Sequence, residues 1–135
     1  MTKEIPIVAR SVAAMRKEVE EWRRAGDVVG VVPTMGALHD GHLALVRAAK
    51  AECDRVIATI FINPTQFAAD EDLDAYPRGE VEDLAKLREL ETDLAFMPGA
   101  GEMYPDGFAT KVRVDGITEV LCGFGRPVHF GGVAT

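Results

Sequence analysis

The chain has 135 residues, 47% apolar and 27% charged, which suits a soluble domain with a real core rather than a disordered segment. No apolar run approaches the roughly 18 residues of a membrane span, and the opening MTKEIPIVAR lacks the apolar stretch of a secretory signal, which points to the cytoplasm. A net charge of −7 with scattered basic residues argues against a nucleic-acid partner, while leaving room for a small anion held by local positive potential.

Ile5 to Val8 reads as a short first strand. Ser11 is an N-cap for a helix running to about Ala25, where Val12, Met15, Val19 and Trp22 recur at helical spacing and Gly26 can end it. Trp22 belongs to that buried stripe. Val28 to Val32 is a continuous apolar run, β-branched apart from Gly30, and predicts a buried parallel strand. His42 to Cys53 predicts a helix with a broad apolar face of Leu43, Leu45, Val46, Ala48 and Ala49, and Arg55 to Ile62 a second buried strand. Together these make a βαβ unit. Asn63 to Gly79 is a long polar loop. Glu80 to Glu91 is a helix whose first turn, with Glu80, Glu82 and Asp83, suits the helix dipole. Asp93 to Met97 is a further strand, Pro98 to Gly107 a loop, and Lys111 to Val114 a short strand. A helical turn follows Gly116, and CGFGRPVHFGG is a loop. Cys53 and Cys122 have no CxxC spacing, so free thiols in a reducing compartment are expected. The alternation predicts an α/β fold built on a parallel sheet. Ligands of such sheets bind beyond the carboxyl ends of the strands. PTMGALHDGH and NPTQF both follow strand ends, so both belong on that rim.

PTMGALHDGH, Pro33 to His42, holds two of the three histidines where a strand turns into a helix. Gly36 and Gly41 allow tight turns with backbone close to a ligand. Asp40 can cap the helix and leave amides and the positive dipole end facing outward. Imidazoles there can donate to phosphate oxygens, an arrangement suited to a leaving group that gains charge, such as pyrophosphate. His42, nearest the helix start, is the better candidate. Competing readings are that the histidines are solvated loop residues, that His39, His42 and His129 bind zinc, or that the glycines are ordinary turn residues. No Cys pair or HExxH pattern supports zinc. Neither a P-loop nor a GxGxxG pattern is present.

The wider context is more specific. PTMGALHDGH, FINPTQF (Phe61 to Phe67), DLDAYPR (Asp72 to Arg78), MYPDG (Met103 to Gly107) and RPVHFGGV (Arg126 to Val133) closely resemble, in order and spacing along nearly the whole chain, the pantothenate synthetases (pantoate–β-alanine ligases). Those are HxGH nucleotidyltransferases related to class I aminoacyl-tRNA synthetases. The resemblance implies a Rossmann-like parallel sheet with flanking helices (HUP type). It implies a two-step reaction with ATP as substrate and Mg2+ accompanying it. Pantoate carboxylate attacks the α-phosphate to give pantoyl adenylate and pyrophosphate, and the β-alanine amine then displaces AMP.

By the same resemblance Met35, Gly36, Ala37, Leu38, His39, Asp40, Gly41 and His42 line the ATP site, with His42 the catalytic proton donor and His39 its nucleotide-binding partner. Gln66 matches the residue that holds pantoate and β-alanine. A side-chain amide suits that task because it both donates and accepts. Asn63 and Arg126 are possible helpers; the alternatives are an Asn-Pro turn starter and a surface salt bridge. Tyr76 and Arg78 read as loop anchors and His129 as structural. Pro33 and Thr34 shape the loop. Met35 and Phe67 could wall pantoate's dimethyl group or simply pack in the core. Family members commonly have Gly and Arg where this chain has Val128 and Gly131, which puts a phosphate contact at position 131 in doubt. The chain stops well short of a typical member, before the mobile cationic loop and the smaller C-terminal domain. Residues 1–135 are therefore read as the N-terminal nucleotide- and pantoate-binding part of a homodimeric enzyme, with little ligase activity alone. The other functions considered are another HxGH nucleotidyltransferase and a non-catalytic ATP-binding module.

Overall fold

Four strands form one parallel sheet: β1 (Ile7–Ala9), β2 (Val29–Thr34), β3 (Arg55–Ile60) and β4 (Leu94–Phe96), in the spatial order β1-β4-β3-β2. The computed structural model describes residues 6–74 and 78–135. The chain divides into two units, one holding residues up to Phe61 and from Pro77 to Met103, the other Ile62–Tyr76 and Tyr104–Thr135.

In the first unit Ser11 caps α1 (Val12–Ala25), its side chain accepting from the Ala14 amide at 3.1 Å, and Gly26 ends the helix at φ 90°. The stripe Val12, Met15, Val19 and Trp22 packs on one sheet face with Ile57, Leu94 and Phe96. On the opposite face Val56, Ala58 and Ala95 meet Val46 of α2 (Asp40–Glu52) and Leu87 of α3 (Glu80–Glu89). Period-2 alternation in β3 and β4 thus feeds two core layers, as expected of a parallel sheet covered on both faces.

Three expectations fail in this unit. β2 is only partly buried: it lies at the sheet edge, where Val32 reaches the core while Val31 stays more than half exposed. Its apolar run reflects composition without a second neighbour. Of the broad apolar face of α2 only Val46 is buried, while Leu45 and Ala48 are exposed, because one narrow stripe contacts the sheet. The loop after Pro98 contains a short helix, α4 (Ala100–Met103). Among the described residues no helix is long and apolar enough to cross a membrane.

The second unit contains 3-10 turns at Pro64–Gln66 and Ile117–Glu119, and two short helices, α5 (Cys122–Gly125) and α6 (His129–Ala134). The segment expected as a loop, CGFGRPVHFGG, is therefore mostly helical. Its glycines permit close packing there: a Cβ on Gly132 would sit 2.2 Å from the Thr65 carbonyl oxygen. Lys111 to Val114 is exposed and forms no strand, since no described neighbour supplies a ladder. Both cysteines are free, Cys53 half-buried and Cys122 exposed.

Candidate functional site

β2 and β3 end together, with Thr34 and Ile60 in register, so the histidine loop leaves the sheet at its carboxyl edge as expected. Thr34 shapes the exit. Its hydroxyl donates to the Thr59 carbonyl at 2.7 Å and accepts from the Gly36 amide at 3.1 Å. Gly36 has φ 81°, a conformation glycine adopts without strain. A Cβ there would also press on Ile60 and Asp83 at 3.1 and 3.2 Å.

The cap of α2 is His39, not Asp40. His39 Nδ1 accepts from the Gly41 amide at 3.1 Å, and His42 Nδ1 accepts from the His39 amide at 3.3 Å, a reciprocal capping box made by two imidazoles. Asp40 instead takes the first helical position, where its charge suits the dipole. Gly41 has a steric task rather than a conformational one. A Cβ on it would stand 2.9 Å from His39 Cε1, so any larger residue would push the capping ring away. The two rings lie face to face, tilted by 32° with centroids 4.0 Å apart.

These bonds fix the tautomers. A neutral imidazole that accepts at Nδ1 carries its proton on Nε2. His39, exposed, and His42, half-buried, therefore each present an Nε2–H donor. The His42 pKa is held below its ordinary value, mainly by burial and secondarily by His39, against an opposing pull from Asp83. Near neutral pH His42 is thus an uncharged donor.

Of the amides expected to face outward at the helix start, that of Gly41 is taken by His39, and the loop before the helix is tied inward as well. The Ala37 and Leu38 amides donate to Asp83 Oδ2 and Oδ1 at 2.9 and 2.7 Å. Those of Gly36, His39 and Gly41 are taken by Thr34, His42 and His39. These five amides are satisfied within the protein, and the Nε2–H groups of the two imidazoles are donors that the loop's own bonds leave uncommitted. Lys86 Nζ donates to the Leu38 carbonyl at 2.6 Å, closing the loop from the same helix. Met35 is half-buried and Leu38 is a core residue.

The remaining candidates belong to the second unit. Asn63 is a hub. Its Oδ1 accepts from the Thr65 amide, the Thr65 hydroxyl and the Tyr104 hydroxyl at 3.0, 2.6 and 2.9 Å, while Nδ2 donates to the Gly132 carbonyl at 3.1 Å. That realises the turn-starting alternative. Arg126 pairs with Glu71 at 2.5 Å, donates to the Gln66 carbonyl at 3.2 Å and sits over the Phe67 ring at 5.7 Å. Its charge is thus met by a carboxylate, the salt-bridge alternative. His129 Nδ1 lies 3.2 Å from the same carbonyl, in keeping with a structural role. Gln66 is held by its backbone from two sides. Its side-chain amide has no hydrogen-bond partner among the described residues. Tyr76 lies outside the described residues, and Arg78 is exposed yet not without a partner. Among the described residues no three His, Cys, Asp or Glu side chains group so as to hold a metal ion.

Sequence reasoning missed Asp83 and Lys86. Both sit more than 40 residues from the loop they hold, and the acidic first turn of α3 explained Asp83 sufficiently by itself.

A family model described as pantoate-beta-alanine ligase matches residues 7–135. Pantothenate synthetases from Dinoroseobacter shibae and Caulobacter vibrioides are 60% and 58% identical over 126 and 130 residues, or 93% and 96% of this chain. The chain spans only 45% and 46% of their lengths. A crystal structure of pantothenate synthetase from Thermus thermophilus superposes with a TM-score of 0.83 at 48% identity, covering 96% of this chain and 45% of that one. The Francisella tularensis pantoate-beta-alanine ligase, solved with beta-gamma ATP and beta-alanine, gives a TM-score of 0.81 at 38% identity, covering 94% and 49%.

Proposed function

Because the chain belongs to the pantoate-beta-alanine ligase family, we propose that it is the ATP-binding part of an enzyme that condenses pantoate with β-alanine through pantoyl adenylate. The observation that carries this reading is the pair of imidazoles in contact at the start of α2, each with Nδ1 accepting from a backbone amide and Nε2 left to face a ligand.

A carboxylate has no leaving group that an amine can displace, so it must first be activated. A pantoate carboxylate oxygen bonds to the α-phosphorus of ATP as the bond to the pyrophosphate oxygen breaks. Negative charge grows on that oxygen. Preorganised donors at a helix N-terminus stabilise this charge more than they stabilise the ground state. His42 and His39 supply two such donors. His42 acts as a neutral hydrogen-bond donor rather than giving up its proton outright, since loss of Nε2–H from a neutral ring would leave an imidazolate. The β-alanine nitrogen then bonds to the acyl carbon, the bond to the adenylate oxygen breaks, and AMP leaves with the electron pair while the amine loses its extra proton. Gln66, with its side-chain amide uncommitted, holds pantoate and β-alanine. Mg2+ would accompany ATP as part of the substrate and offset the charge of its phosphates. The working assembly is a cytoplasmic homodimer.

The test uses the protein as its cell makes it. His42→Ala slows single-turnover, pantoate-dependent pyrophosphate release by about 100-fold or more, as loss of an oxyanion-type donor does, while ATP affinity changes far less. Unchanged adenylation would remove His42 from the mechanism. Pyrophosphate release that ignores pantoate would instead indicate another nucleotidyltransferase of the same motif, and ATP binding without turnover a non-catalytic module.

A further inference from the structure

We propose that Asp83 is the positioning residue of the histidine loop: its carboxylate acts as a built-in anion that takes the Ala37 and Leu38 amides and so sets where His39 and His42 stand. Asp83 is 2% exposed, and its two oxygens reach the two successive amides, Oδ2 at 2.9 Å and Oδ1 at 2.7 Å. Burying a carboxylate is costly unless its oxygens find strong donors. No ion pair to Asp83 occurs among the described residues, so these amides are the donors that make its burial tolerable.

A carboxylate that only balanced a helix dipole would face solvent at the end of its own helix. This one leaves α3 and grips a loop 45 and 46 residues earlier in the chain. One turn further along α3, Lys86 Nζ takes the Leu38 carbonyl at 2.6 Å, so Leu38 is held at both its N–H and its C=O. Leu38 precedes His39 directly, and its side chain is 3% exposed in the core. Position errors there pass straight to the capping imidazoles. Ala37 adopts φ 50°, a left-handed conformation that an alanine keeps only under outside constraint, and the bond from its amide to Asp83 is such a constraint. The loop is thereby set before any ligand arrives, with the Ala37 and Leu38 amides already committed. Asp83 also acts on His42 through space: its charge favours the protonated ring, opposing burial and His39. The placement rests on geometry alone, and only its consequence for nucleotide affinity depends on the loop being an ATP site.

The experiment compares the 135-residue chain with Asp83→Asn and Lys86→Met. Asn keeps the size but can accept at one oxygen only, and its NH2 would confront an amide N–H. In Asp83→Asn the amide exchange of Ala37 and Leu38 rises about tenfold or more, one lost bond's worth. The His42 titration, followed by NMR, moves further below its ordinary range. The ATP dissociation constant rises by a similar factor. Lys86→Met, which leaves the carboxylate in place, loosens Leu38 and the loop in the same sense but by less. A folded Asp83→Asn chain with unchanged exchange at Ala37 and Leu38 and an unmoved His42 titration would overturn the proposal. If Asp83→Asn does not fold, Asp83→Glu decides, since it keeps the charge and moves the oxygens: faster exchange at Ala37 and Leu38 upholds the proposal, and unchanged exchange overturns it. Failure of the unaltered chain to bind ATP would count against the nucleotide reading only, since exchange and titration judge Asp83 without ligand.

Discussion

The two units of this chain are held together by different means. The first has a sheet packed on both faces, with Val56, Ala58, Leu87, Leu94 and Ala95 at or near zero exposure. The second has no strand among its described residues. It is tied by polar contacts around Asn63 and Arg126, and it leaves Ile117, Leu121 and Phe124 more than three-quarters exposed. Burial of apolar area is cooperative and non-directional, whereas a polar hub stabilises only while each donor keeps its acceptor. Each unit therefore has its own weak point. In the first it is volume lost from the core, and in the second it is backbone spacing around one glycine and one asparagine.

The largest effect follows from the core. Leu87→Ala removes a fully buried side chain from between α3 and β4 and costs about 3 kcal/mol in chemical denaturation. Leu121→Ala, at 88% exposure, stays within about 0.5 kcal/mol of the parent. Similar losses for the two would erase the contrast between the units. Next in size is Gly132→Ala. The added Cβ meets the Thr65 carbonyl oxygen, displaces the Pro64–Gln66 turn and costs the second unit about 2 kcal/mol, read as faster amide exchange there while the sheet amides keep their protection. Gly131→Ala, which meets nothing within 4 Å, is the matched control. Equal behaviour of the two variants would show that close packing at Gly132 does not hold that unit.

The first unit was the more legible in sequence, for a physical reason. Ser11, Gly26 and the Val12–Met15–Val19–Trp22 stripe act locally or at fixed helical spacing, so their outcome is written within a few residues. The edge position of β2 was not legible, because a continuous apolar run does not say whether one neighbour strand or two will lie beside it. In the second unit the glycines around Cys122 and Gly132 signalled loop, whereas they serve close helix packing that only the partner backbone at Thr118 and Thr65 makes visible. The histidine loop divides in the same way. The residue types suggested a site for an anion, which stands as the proposal above. The capping by His39 was hidden because imidazole is not an expected cap. The commitment of the Ala37 and Leu38 amides was hidden because their acceptor, Asp83, is remote in sequence.

A smaller shift, but the most telling one, is in the imidazoles themselves. The side-chain nitrogen NMR shifts of His39 and His42, followed from pH 8 to 5, test most directly whether both rings keep Nδ1 as an acceptor and whether His42 is a neutral donor. His42 accepts a proton less readily than an ordinary histidine, whose value is 6.5, so on acidification it stays neutral through that point and protonates only below it. Because the folded pKa is the depressed one, the associated stability is fully present above 6.5 and is lost as the pH falls through the folded value. The account predicts Nε2–H tautomers for both rings at neutral pH, and a His42 midpoint below 6.5. Nδ1–H tautomers, or a His42 midpoint above that value, would contradict it.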